Sequence, residues 1–328
     1  MKIKAFNRDQ IEQIWLGLNS GLDVSIYAKQ NNFNRPIYDC LQMAQIRWGL
    51  EAGLDVSVYA KQNNFNRPIF NWSQMEQIRK GLKQGLDVSQ YTQLDHKGHP
   101  IYDGNQMSQI REGLVQGLDV TQYTQLDHKG HPIYDWFQMA QIRYDLEASL
   151  DISQYTQLDL KGHPIYNGYQ MNQIWWGLKN GLDISQYNKL DPNGHPIYDW
   201  AQMEQIRIGL EKGLDISKYN QLDPHGHPIF DNNQMEQIRW GLGKSLDISQ
   251  YTQLDHKGRP IYDWWQMEQI RKGLVQGLDV SKHTHLASKS SLSDFDKTPT
   301  DLKDSKVINE YNKSSHTPSD TQSKSRKL

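Results

Sequence analysis

Apolar residues in this chain recur at helical spacing within short segments, and polar connections that contain glycine separate these segments. Between Asp39 and Leu54, the side chains of Met43, Ile46, Leu50 and Leu54 fall within about 80° on a helical wheel. This narrow apolar stripe predicts an amphipathic helix whose stripe faces the core.

Each helical segment also carries signals for its two ends. Asp199 and Gln202 have the spacing of a capping box, in which two otherwise unpaired amide groups gain side-chain acceptors. Gly213 lies where a left-handed residue would end the helix. Every segment keeps Asp or Asn at the cap and Gln three residues later. Ser149 and Ser245 replace the terminal glycine in two segments, so we expect slight strain or different capping there.

The connection after each helix predicts two further elements. Asp215 is placed to cap a single second helical turn, and Tyr219 would pack back as an apolar anchor. Asp223 and Gly226 have the spacing of a type I turn followed by a glycine bulge. Pro228 would be tolerated only at a strand edge, which limits how far such hairpins can join into a sheet.

These elements repeat with a fixed period of 32 residues, as the recurring Asp that follows Leu shows. The period predicts a mainly α repeat solenoid of nine 32-residue units, each a capped helix with a short helical turn and a small β-hairpin or loop connection. We expect the solenoid to cover residues 1–286. The Ser-, Lys- and Asp-rich tail 287–328 is expected to be disordered. The recurring residues are Asp23, Asp55, Asp87, Asp119, Asp151, Asp183, Asp215, Asp247 and Asp279.

Beside the core stripe, one sector of the helix barely changes from unit to unit. It holds Gln42, Gln45, Gly49 and Gly53 in the second helix, and small or amide residues there suit close contact with the next unit. A glycine in mid-helix costs about 1 kcal/mol relative to alanine, so we expect a close backbone crossing at Gly49. Asp145 is the one departure at that position and predicts irregular packing around the fifth helix.

The opposite sector varies between units and is rich in aromatic residues. Variation confined to one face is typical of a binding surface, and Trp and Tyr dominate interface hot spots. The alternative is drift on a solvated face, with indole rings covering neighbouring turns. The candidate partner-binding residues are Trp48, Trp72, Trp136, Tyr144, Trp176, Trp200, Trp240, Trp264 and Trp265.

Composition narrows the class of protein. Lys and Arg total 36 against 38 Asp and Glu, which is not a phosphate-seeking balance. Cys40 is the single cysteine, so no disulfide can form within one chain. No window has the length and apolarity of a signal peptide or a membrane span, so we expect a soluble, cytoplasmic protein without a membrane association.

The residues that suggest chemistry all recur with the repeat. His96 and His99, with Asp95, could hold a transition metal, but later turns do not keep the pair, and a turn role is favoured. The arginines that recur near the core stripe, such as Arg47, are expected to form salt bridges to the Asp of Leu-Asp-Val-Ser. No catalytic constellation stands apart from the repeat, so we expect no enzyme activity and no cofactor.

The string Gln-Met-x-Gln-Ile-Arg-x-Gly-Leu-x-x-Gly-Leu-Asp-Val-Ser-x-Tyr, present at Gln74 to Tyr91, resembles short helical repeats in uncharacterised proteins of Gram-positive bacteria, their phages and mobile elements. The resemblance covers about residues 6 to 283 and implies an α-rich array without an established activity.

Three functional hypotheses follow from these patterns. The first is a non-catalytic protein-binding scaffold, an inhibitor or adaptor in conflict between phage or mobile element and host. The second is a single-stranded nucleic-acid binder that stacks bases on a tryptophan stripe, although the acidic balance counts against nucleic acid. The third is a metal-binding array that uses the hairpin His and Asp residues.

Overall fold

The structure, a computed structural model, describes residues 5–280, and this part of the chain is mainly helical. It contains nine α-helices of equal length in a regular repeating pattern, which confirms the predicted fold class. Helices α1 to α9 span Arg8–Asn19, Cys40–Glu51, Trp72–Lys83, Gly104–Val115, Trp136–Glu147, Gly168–Lys179, Trp200–Glu211, Asn232–Gly243 and Trp264–Val275. The predicted tail 287–328 lies outside the described residues.

The capping signals act as the sequence predicts. In α7, the Asp199 side chain accepts the N–H of Gln202, and the Gln202 side chain accepts the N–H of Asp199. Gly213 follows the helix with φ of 63°. Ser149 and Ser245 keep the same left-handed conformation, at φ of 55° and 53°, so their ends are strained rather than differently capped.

A short 3-10 turn follows each of the first eight helices. In each, the recurring Asp caps the turn, and the tyrosine after it packs back onto the helix, as Tyr219 does with no exposed surface. The turns span Val24–Ile26, Val56–Val58, Val88–Gln90, Val120–Gln122, Ile152–Gln154, Ile184–Gln186, Ile216–Lys218 and Ile248–Gln250.

The connection to the next helix is a minimal hairpin. Leu94 and Pro100 form an isolated antiparallel bridge, and between them the Gly98 N–H donates to the Asp95 carbonyl across the turn. Gly98 has φ of 80°, and Asn34 takes the same left-handed place at φ of 56° in the first connection. The register is therefore unchanged, and the bridges do not extend into a sheet within residues 5–280.

The chain divides at Gly243 into two compact units. In the first unit each of the helices α1 to α7 packs on the next one along the chain. The described part of the second unit holds the 3-10 turn Ile248–Gln250, the bridge between Leu254 and Pro260, and α9.

Two hydrogen bonds that recur in the first unit join repeats to their successors, although Phe70 and Phe230 lack the hydroxyl group that makes one of them. Gln42 uses its Oε1 atom in the capping box and its Nε2 atom to donate to the Phe70 carbonyl, at 2.9 Å. The Tyr38 hydroxyl donates to the Ala60 carbonyl at 2.6 Å. The predicted close contact of this amide residue with the next unit is confirmed, and one side chain both caps its own helix and holds the next repeat.

The glycine in mid-helix is required by a side chain and not by a backbone crossing. A Cβ atom added to Gly49 would lie 1.9 Å from the Tyr59 hydroxyl and 2.9 Å from Val56 Cγ1. The Tyr59 hydroxyl occupies this space in order to donate to the Gln45 carbonyl at 3.1 Å. The expectation of a close backbone crossing is therefore wrong, and the 3-10 turn of the same unit closes against the glycine.

Candidate interaction surface

All nine candidate partner-binding residues lie on the surface. Their exposed fractions run from 38% for Trp176 to 56% for Trp265. Trp48, Trp72, Trp136, Tyr144, Trp200, Trp240 and Trp264 lie between these values. The variable sector as a whole is not uniformly exposed, because Ala44 and Ala140 are buried.

Four aromatic rings form a continuous row across three helices, which we call the aromatic ladder. The ring centroids of Trp136 and Phe137 are 5.5 Å apart, those of Phe137 and Tyr169 4.9 Å, and those of Tyr169 and Trp200 5.4 Å. These side chains occupy the first two positions of α5, α6 and α7. Tilted pairs at such distances are favourable aromatic contacts.

Gly168 makes the ladder possible. A Cβ atom at Gly168 would lie 2.5 Å from Phe137 Cδ1, so any side chain at the first position of α6 would displace the Phe137 ring. Phe137 and Tyr169 were not among the residues predicted from the sequence. The available signal was glycine between two tryptophans at the first helical position, as in Trp136, Gly168 and Trp200.

The remaining candidates do not join the ladder. The aromatic residues at the ninth helical position each lie under a cation of the same chain. The Trp48 ring has the guanidinium carbons of Arg47 and Arg79 at 5.5 and 5.3 Å. The Tyr144 ring has that of Arg143 at 4.3 Å. Trp176 and Trp240 are covered in the same way, by Lys179 with Arg207 and by Lys212 with Arg239.

In α2 to α8 the recurring arginines pair with glutamine or glutamate side chains and not with the Asp of Leu-Asp-Val-Ser, so that prediction is wrong for the first unit. Arg47 donates through Nε to Gln13 Oε1 of the preceding helix at 3.1 Å and forms a salt bridge with Glu51 at 2.5 Å. The Asp23 side chain instead accepts the Ser25 N–H. Hydrogen bonds from Ser25 lower the pKa of Asp23.

The hairpin histidines lie beside the aspartate that organises their turn. Asp95 Oδ1 accepts the backbone N–H of both Lys97 and His99 at 2.8 Å. The bond from the His99 N–H is the main cause that lowers the pKa of Asp95. His99 Nδ1 lies 3.4 Å from Asp95 Oδ2. Within residues 5–280, no three His, Cys, Asp or Glu side chains are grouped so that they could hold a metal ion.

Asp145 is the one carboxylic acid in the described part of the chain that is fully buried without a hydrogen-bond partner. It replaces the mid-helix glycine of α5, and neither of its carboxylate oxygens has a hydrogen-bond partner in the described part of the chain. Burial raises its pKa to about 8, against a smaller opposing effect of Gln141. Tyr155 is the tyrosine whose counterparts in other units contact the mid-helix glycine. Its hydroxyl also has no hydrogen-bond partner in the described part of the chain. The hydrogen bond that the equivalent tyrosines make to the preceding helix is therefore absent at α5, while the irregular packing predicted there stays a prediction.

An open groove between α6 and α7 contains no free catalytic group. Trp176, Leu182 and Asn180 line it together with Arg207 and Glu211. Glu211 accepts from Asn180 Nδ2 at 3.1 Å and is paired with Arg207. The polar groups of this groove therefore satisfy one another.

No protein-family model, curated protein or solved structure matches this chain. Among the helices that the structure describes, none has both the length and the apolar character needed to cross a membrane.

Proposed function

We propose that this chain is a non-catalytic repeat scaffold that binds another protein through the aromatic ladder. The observation that carries the proposal is a contiguous row of four rings over three neighbouring helices, of which Trp136, Tyr169 and Trp200 are exposed and Phe137 is half-buried. Contiguous exposed apolar patches mark interaction sites, and Trp and Tyr supply most hot-spot energy in protein interfaces.

The contrast with neighbouring helices supports a local site. The second helical position holds Phe137 and Tyr169 in the ladder but Ser73 and Asn105 in α3 and α4. Trp72 has the same helical position and nearly the same exposure as Trp136, yet no other ring contacts it in the described chain. Aromatic contact area is therefore concentrated on α5 to α7.

The biological setting belongs to the same proposal. The resemblance to repeats of phages and mobile elements favours an inhibitor or adaptor that acts in the cytoplasm of a bacterial host. The partner would then be a host or phage protein.

Affinity capture from the native cell tests the proposal with a matched pair of variants. One variant carries Trp136→Ala with Trp200→Ala, and the control carries Trp72→Ala with Trp264→Ala, which removes two tryptophans at the same helical position outside the ladder. We expect the ladder variant to lose its protein partner and the control to keep it. Equal retention by both variants would refute the ladder as the binding site.

Two other outcomes would favour the alternative functions. Salt-dependent retention on single-stranded DNA that needs the tryptophans would indicate nucleic-acid binding. Stoichiometric metal in the purified protein would indicate the hairpin array.

A further inference from the structure

The chain itself shows which chemistry suits its exposed aromatic rings. Every ninth-position aromatic side chain of the first unit, Trp48, Tyr144, Trp176 and Trp240, has a Lys or Arg of the same chain within 6.0 Å of its ring centroid. In contrast, none of the four ladder rings has a cation over it among residues 5–280. The three exposed ladder rings, Trp136, Tyr169 and Trp200, are therefore available to a cation from outside.

Carboxylates lie directly beside the two ends of the ladder. Asp135 precedes Trp136 and Asp199 precedes Trp200, and both aspartates are exposed. The first two turns of α5, α6 and α7 contain no Lys or Arg, whereas Glu204 adds a third carboxylate. The local charge is therefore negative around a row of π-rich rings.

The helix N-termini beneath the ladder do not offer a competing site for an anion. Asp135 Oδ1 accepts the N–H groups of both Phe137 and Gln138 at 2.8 Å. Asp199 Oδ1 accepts the Gln202 N–H at 2.8 Å. Because these carboxylates already occupy the amide groups that a phosphate would use, the ladder disfavours nucleic acid and favours a cationic partner.

We infer that the aromatic ladder binds a basic segment of the partner protein, with Arg or Lys side chains stacked on its rings and paired with Asp135 and Asp199. The inference rests on the proposed function and names the chemistry of its partner. Arg suits the site better than Lys, because a planar guanidinium both stacks on aromatic faces and pairs with carboxylates. The three ring steps span roughly 15 Å, the length of about five residues of extended chain.

Binding of synthetic peptides to the full-length protein tests this inference. The probes are peptides of about nine residues that alternate Ser with Arg, Lys, Glu or Leu, long enough to cover the ladder with a margin at each end. We expect saturable binding of the Arg peptide, weaker binding of the Lys peptide, and none of the Glu or Leu peptides. Affinity should fall as salt is raised.

Two variants locate the binding. Asp135→Asn with Asp199→Asn removes the charges but keeps the caps, because Asn7, Asn71 and Asn167 fill the same place in other units. We expect this variant to bind the Arg peptide about tenfold more weakly, as two partly exposed ion pairs allow. Trp136→Ala with Trp200→Ala should also weaken binding of the Arg peptide by about tenfold, while Trp72→Ala should leave that binding unchanged.

The outcomes separate this inference from the proposed function. Unchanged binding by the asparagine variant, or equal binding of Arg and Leu peptides, would overturn the inference. If the inference were overturned in this way but Trp136→Ala with Trp200→Ala still lost the captured partner, the protein-binding function would stand. The partner surface would then be apolar. Circular dichroism of each variant checks that the helices remain folded.

Discussion

Replacing Asp145 with glycine should stabilise the protein at neutral pH and should remove a specific pH dependence. The carboxyl group is fully buried, and its pKa is raised from 3.8 to about 8 by burial. The folded state therefore holds a proton that the unfolded chain has released. Stability is highest below about pH 4 and falls as pH rises, until the group ionises in the folded state near pH 8.

The magnitude follows from the width of this window. Each pH unit within it costs about 1.4 kcal/mol, so about 4 kcal/mol separates pH 7 from pH 4 at this residue. Glycine also makes room for Tyr155 to donate to the carbonyl of Gln141, as Tyr59 does to Gln45, which adds about 1 kcal/mol. We expect Asp145→Gly to raise the free energy of unfolding by about 5 kcal/mol at pH 7 and by about 1 kcal/mol at pH 4.

A second substitution tests the reason for the shift. In other pairs of repeats, the arginine of the following helix acts on the tyrosine that contacts the glycine. Burial raises the pKa of Tyr27 to about 12, and the charge of Arg47 opposes this rise. After α5 that arginine is replaced by Trp175, whose Nε1 atom is buried without a partner in the described structure. Trp175→Arg would restore a cation, so the pH dependence due to Asp145 should shrink.

Urea unfolding followed by circular dichroism between pH 4 and pH 8.5 measures these differences. Hydrogen exchange of peptides from α5 and α6, compared with α2, checks that the effect is local, because neighbouring repeats unfold in part independently. The other aspartates titrate equally in both proteins, so the difference between them isolates Asp145. A stability difference that is constant across this pH range would refute the reasoning.

Two further substitutions test the packing of the repeat. Gly81→Ala would place Cβ 1.9 Å from the Tyr91 hydroxyl, so we expect a loss of about 1 to 2 kcal/mol after the gain in helix propensity. Adding Tyr91→Phe should relieve most of that loss. Gly243→Ala, whose Cβ would have no atom within 4 Å, should stabilise the protein. Equal effects of Gly81→Ala and Gly243→Ala in urea unfolding would contradict the contact with Tyr91. Ser149→Gly should relieve a left-handed φ of 55° and add about 1 kcal/mol. Ser20→Gly should destabilise the protein, because Ser20 has an ordinary φ of −84°. The same rise in Tm for Ser149→Gly and Ser20→Gly would disprove backbone strain at Ser149.

Structural features set by residues close in sequence were predictable. Contacts that depend on how neighbouring helices are aligned were not. The capping box of Asp199 with Gln202 and the turn that ends at Tyr219 follow from local spacing. The partner of Arg47 is Gln13, 34 residues away, and no local pattern indicates that alignment. The ladder was missed because the contacts of Tyr169 with Phe137 and Trp200 depend on how the N-terminal ends of α5, α6 and α7 line up.

Gly168, the glycine that packs against the aromatic ladder, also limits which repeats the gene can gain or lose. Each inter-repeat hydrogen bond joins adjacent repeats only, so an in-frame deletion of one 32-residue copy would leave all of these bonds intact. Loss of the copy that carries Gly168 would nevertheless bring Trp200 to the place where even a Cβ atom meets Phe137 at 2.5 Å. Copies in this region can therefore be gained or lost in pairs more readily than singly.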